Sequence, residues 1–82
     1  MNYGIMEKIF CRKLKKKCIR MKENPLPGKL GERIRNEISQ EGWIEWINYQ
    51  TILINEYRLN LLNKKSREFL IEEMEKFFFE ST

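Results

Sequence analysis

The stretch WIEWINYQTILINEYRLNLLN, residues 43–63, decides how the rest of the chain is read. It holds both tryptophans and two of the three tyrosines, and it has no proline. Trp43, Trp46, Ile47, Gln50, Leu53, Ile54 and Tyr57 recur at helical spacing, so the stretch predicts an amphipathic helix from about Gln40 to Arg58. Tryptophans three apart on such a helix are usually core rather than a binding platform. Ile44 and Ile52 fall off the main stripe, which suggests contact on two sides. Asn55 and Glu56 are the polar exceptions, and a structural hydrogen-bonding role is the simplest expectation for them.

On the N-terminal side, Ser39 is a suitable cap for this helix, and Glu41 lies in its first turn. Before it, Leu30, Ile34 and Ile38 mark one face of a shorter helix over residues 29–38. Gly31 within that helix costs about 1 kcal/mol relative to alanine, so a close approach of other atoms is expected there. On the C-terminal side, Asn60 or Asn63 breaks and recaps the chain. A third helix then runs to about Phe78, with Phe69, Leu70, Met74, Phe77 and Phe78 facing inward.

Upstream, Pro25, Pro27 and Gly28 make residues 23–28 a linker. Residues 9–22 alternate roughly, with Phe10, Arg12 and Leu14 against Ile9, Cys11 and Lys13. They predict a two-stranded hairpin with a basic tip at Lys15, Lys16 and Lys17, although no Asn-Gly or Asp-Gly marks the turn. Residues 1–8 read as a frayed start. The expectation is a single domain over 1–82 of mainly α (α+β) class: a compact three-helix body, residues 29–80, with a short N-terminal antiparallel hairpin.

A chain of 82 residues has a thin stability margin; about 5 kcal/mol would be ordinary. Charge is uneven. Residues 1–31 carry nine Lys/Arg against two Glu, and residues 32–82 carry seven against ten. The basic arm suits polyanions by charge, but aromatic interleaving is missing along it and no DNA-reading motif is present, so nucleic acid is the less favoured partner. No signal peptide or membrane span is read from the sequence. The expectation is a cytoplasmic monomer with reduced thiols and no membrane contact. The chain has no His and no Asp, which removes common acid–base groups. With no nucleophile triad or phosphate-binding glycine loop either, an enzyme is not expected.

Cys11 has the most reactive potential. Its thiolate would serve either to bind metal or to meet oxidants, and Arg12 and Lys13 follow it directly. The alternative is a small apolar residue under the hairpin. Cys18 lies seven positions on, a spacing that does not mark a metal site. Glu37, Glu41 and Glu45 stand at i, i+4 and i+8 and would share a face if the helix were continuous, which the Ser39 cap argues against. A solvated acidic surface is their commoner role.

The ordered set of short motifs resembles the bacterial Fe(II)-trafficking family. It comprises Ile9-Phe10-Cys11, Pro27-Gly28-x-Leu30-Gly31-x-Arg33-Ile34, Asn36-Glu37-Ile38-Ser39, Trp43-x-x-Trp46, Gln50-Thr51-x-Leu53-Ile54-Asn55-Glu56, Leu59-Asn60, Arg67-x-x-Leu70, Glu73-Met74 and Phe77-x-Phe79. The resemblance implies three helices with an N-terminal hairpin. It implies a protein that holds Fe(II) weakly, limits oxidative damage and supplies iron-requiring or iron–sulfur assembly proteins. It implies that Cys11 contributes to iron handling; Glu37, Glu41 and Glu45, noted above for their spacing alone, are weaker candidate ligands because Fe(II) accepts mixed sulfur and oxygen donors. The chain departs from the family at Leu26, where an aromatic is common, at Lys15-Lys16-Lys17-Cys18, where members have an acidic, glycine-containing turn, and in lacking histidine.

Overall fold

A computed structural model describes residues 7–80. Their order is β1 (Lys8–Cys11), β2 (Lys16–Ile19), α1 (Gly28–Glu37), α2 (Gln40–Glu56) and α3 (Lys64–Phe79). The expected hairpin and three helices are therefore present. Of the expected frayed start, residues 1–6 lie outside the described residues, and Lys8 already opens β1. Backbone proximity groups the chain into two units, Met1–Trp43 and Ile44–Thr82.

In the first unit, β1 and β2 pair antiparallel as Lys8↔Ile19, Ile9↔Cys18, Phe10↔Lys17 and Cys11↔Lys16. The turn falls at residues 12–15, earlier than the expected lysine tip. Lys15 takes a left-handed φ of 60°, and its N–H donates to the Cys11 carbonyl at 2.7 Å. Lys16 and Lys17 thus become strand residues. Successive strand side chains alternate faces and opposed residues share one, so this register puts Ile9, Cys11 and Cys18 together. Cys11 and Cys18 are buried and Ile9 is half-buried, while Phe10 and Ile19 look outward.

Pro27 is extended and precedes α1 without a side-chain cap. Gly28 begins the helix at φ 81°, a conformation that suits glycine. At Gly31 a Cβ would overlap the Leu26 carbonyl oxygen, which explains the helix-weakening residue. Ile34 and Ile38 are fully buried. Ile38 turns extended at φ −121° and ends α1, with its N–H on the Ile34 carbonyl at 2.7 Å. Ser39 then caps α2, its Oγ accepting the Gly42 N–H at 3.0 Å.

In the second unit, ring contacts show that α2 and α3 run antiparallel. Trp46 meets Phe77 and Phe78 at centroid distances of 5.7 and 6.2 Å, Tyr49 stacks on Phe77 at 5.3 Å, and Tyr57 meets Phe69 at 5.4 Å. Trp46, Leu53, Leu70, Met74 and Phe78 are buried, close to the expected stripes. Ile47 and Tyr57 of the expected stripe are exposed, as are Ile44 and Ile52. Arg58, at φ 51°, ends α2, with the Leu59 N–H reaching back to the Ile54 carbonyl at 3.0 Å. This is a Schellman closure with arginine in the left-handed position. Both asparagines then act. Asn60 Oδ1 accepts the Leu62 N–H at 3.0 Å, and Asn63 Oδ1 caps α3 by accepting the Lys65 N–H at 2.8 Å. Asn55 and Glu56 are exposed and make no side-chain hydrogen bond among the described residues, so the structural role expected of them is not taken up.

Candidate functional site

Cys11 ends β1, and its thiol is completely buried at the junction of α1 and α2. Its Sγ accepts the Ser39 N–H at 3.3 Å. A Cβ built on Gly42 would stand 3.0 Å from the same sulfur and 2.9 Å from Ile38 Cγ2. The first turn of α2 can lie this close to the thiol because residue 42 has no side chain. Both thiols are free, Cys11 and Cys18 alike.

The surroundings of this thiol are held by the hairpin. The Arg12 N–H donates to the Glu37 carbonyl at 2.8 Å, and Arg12 and Arg33 both reach the Glu37 carboxylate, at 3.1 and 3.2 Å. Arg20 pairs with Ser39 as an isolated bridge, and its guanidinium donates to Glu7 Oε1 at 3.3 Å and Asn36 Oδ1 at 2.7 Å. Arg35 Nε donates to the Met21 carbonyl at 2.9 Å. The positive charge of residues 12–35 is therefore partly structural.

Of the expected iron ligands, Cys11 lies under the junction that Glu37 and Glu41 bracket along the chain. Glu37 is engaged by two guanidiniums, and Glu41 is exposed in the first turn of α2. Glu45 belongs to the second unit and is exposed. Glu37 and Glu41 do not share one helix, because Ile38 and Ser39 interrupt the helical run. Among the described residues, no three thiol or carboxylate side chains gather as a metal-holding group. Sequence reasoning missed the contribution of Gly42 and the stapling by Arg20. The glycine three residues beyond a serine cap was the available signal for the first.

The family profile described as "Bacterial Fe(2+) trafficking" matches residues 5–82. The chain belongs to this family. It is 55% identical over 75 residues to a "Probable Fe(2+)-trafficking protein" of Francisella tularensis subsp. novicida, covering 92% of this chain and 86% of that one. It is 51% identical over 71 residues to a protein of the same description in Legionella pneumophila (strain Corby), covering 87% and 80%. The shared description links the family to iron. None of the described helices is long and apolar enough to cross a membrane.

Proposed function

We propose that the protein holds Fe(II) transiently in the bacterial cytoplasm and passes it to iron-requiring enzymes or to iron–sulfur cluster assembly. While held, the ion reacts less with peroxide, which limits oxidative damage. The observation that carries this reading is membership of the Fe(2+)-trafficking family over residues 5–82. The protein works as a monomeric carrier, by binding and release rather than by catalysis.

Cys11 supplies a sulfur ligand, and Glu37 and Glu41 of the same unit supply weaker oxygen contacts. Fe(II) accepts such a mixed set. A fully buried sulfur meets an aqueous ion only when the end of β1 lifts from the α1–α2 junction. A two-stranded hairpin is marginal by itself, so the lift is accessible. Apparent affinity falls in proportion to the fraction of molecules that are open, and weak, exchangeable holding is what delivery requires.

The test is an anaerobic Fe(II) titration with a spectroscopic readout of ligand type. Wild type is expected to bind with sulfur ligation, and Cys11→Ser to lose that signature. All-oxygen ligation that persists in Cys11→Ser moves the site to the glutamates and leaves Cys11 as a core residue. Binding no stronger than to an unrelated protein of similar charge rules out direct iron holding.

A further inference from the structure

The outward face of the hairpin has a composition that the fold does not use. The register places Phe10 opposite Lys17 and Lys8 opposite Ile19, all four on the face away from the buried thiols. Phe10 is 60% exposed and Ile19 43%. Lys15 adjoins this face at the turn, whereas Lys16, opposite Cys11, belongs to the other face. Lys8, Lys15, Lys16 and Lys17 form no ion pair with any described residue, whereas Arg12 and Arg20 on the same hairpin are engaged. Residues 8–22 contain eight Lys/Arg and no acid. Three of these lysines, Lys8, Lys15 and Lys17, stand around the exposed ring, and they call for a partner that carries repeated negative charge and a flat apolar face.

We propose that this face binds single-stranded nucleic acid, independently of the iron-handling site. The lysines take backbone phosphates, and one base stacks on the Phe10 ring. Phosphate neutralisation supplies salt-sensitive affinity without sequence preference, and an aromatic platform adds preference for an unpaired base. Along the linear sequence the basic arm has no aromatic interleaving; hairpin pairing supplies it, by bringing Phe10 beside Lys17. A duplex keeps its base faces stacked and inaccessible, so the ring favours a single strand. Neither lysine nor phenyl distinguishes a 2′-hydroxyl, so DNA and RNA strands bind alike. A membrane or an acidic protein would satisfy the lysines and leave the ring without a stacking partner.

The test is fluorescence anisotropy of the full chain with labelled oligothymidylate and oligouridylate of about 12 nucleotides, against a duplex of the same length. With three phosphates engaged, log affinity is expected to fall against log salt with a slope of about −2. Phe10→Ala is expected to weaken binding roughly tenfold at unchanged slope, and Phe10→Tyr to retain it. The double variant Lys8→Gln, Lys17→Gln is expected to reduce the slope by about 1.4. Circular dichroism and thermal unfolding check that each variant is folded, and Phe10→Leu, which keeps apolar bulk without a ring, is expected to behave as Phe10→Ala. Equal affinity for the duplex overturns the assignment. So does unchanged binding by folded Phe10→Ala or Phe10→Leu, or preference for phosphatidylserine vesicles or polyglutamate over the oligonucleotides.

Discussion

The two units of this small chain are held by opposite means. Within residues 7–43, the tight places are where something is missing: no Cβ at Gly31 beside the Leu26 carbonyl, and none at Gly42 beside the Cys11 sulfur. Backbone donors and guanidiniums close the rest. Within residues 44–80, bulk does the work, with Trp46 in contact with Tyr49, Phe77 and Phe78. Charge divides the same way. Residues 7–43 carry eleven Lys/Arg against five Glu, and residues 44–80 carry five against seven. The first unit should therefore fail when an atom is added, and the second when a ring is removed.

The largest expected effect tests the second half of that contrast. Trp46 is fully buried, and a buried Trp→Ala substitution costs about 3–5 kcal/mol. Against a margin of roughly 5 kcal/mol, Trp46→Ala is expected to be largely unfolded at 37 °C. Urea denaturation followed by circular dichroism measures it. A loss below about 1 kcal/mol would mean that the aromatic cluster does not carry the helical pair. The indole Nε1 has no hydrogen-bond partner among the described residues, so the cost is assigned to lost packing rather than to a lost polar contact.

These two modes of holding were unequally legible in the sequence. A ring cluster announces itself, because Trp46, Leu53, Leu70, Met74 and Phe78 recur at helical spacing and are all buried. Caps are local, and Ser39 and Asn63 were both readable as such. The hairpin turn was not, because its left-handed residue is Lys15, which hides inside a lysine run instead of standing out as glycine. At the candidate site, Cys11 was legible as a residue and its burial under the hairpin as one of two readings, but the closures that bury it were not legible. That burial depends on a glycine 31 positions away and on Arg12 reaching Glu37 across 25 positions. Such long-range closures leave no periodic trace.

The next effect tests the first half of the contrast. At an open helical glycine, Gly→Ala stabilises by about 1 kcal/mol. At Gly31 the new Cβ would overlap backbone, the Leu26 carbonyl, which cannot swing aside as a side chain would. Overpacking of this kind costs about 1–3 kcal/mol, occasionally more, so Gly31→Ala is expected to lose stability on balance. The same urea series measures it. A net gain in Gly31→Ala would show that the linker at Leu26 yields easily and would erase the distinction between the units on this side.

The smallest effect has the opposite sign, and it asks whether the second unit is insensitive to backbone detail. Arg58 occupies the left-handed position that closes α2, at φ 51°. A side chain there costs about 1–2 kcal/mol in steric strain, and glycine is the usual residue for that reason. Glycine also gains freedom in the unfolded chain, which offsets part of the relief. Arg58→Gly is therefore expected to stabilise by about 0.5 kcal/mol, a net of these two terms. Arg58 is exposed and forms no ion pair with a described residue, so no compensating contact is lost. A midpoint shift to higher urea at unchanged slope is the expected reading. A destabilised Arg58→Gly would mean that the arginine side chain holds the helix end by a contact stronger than its strain. The second unit would then depend on a specific polar group as the first does, and bulk alone would no longer describe it.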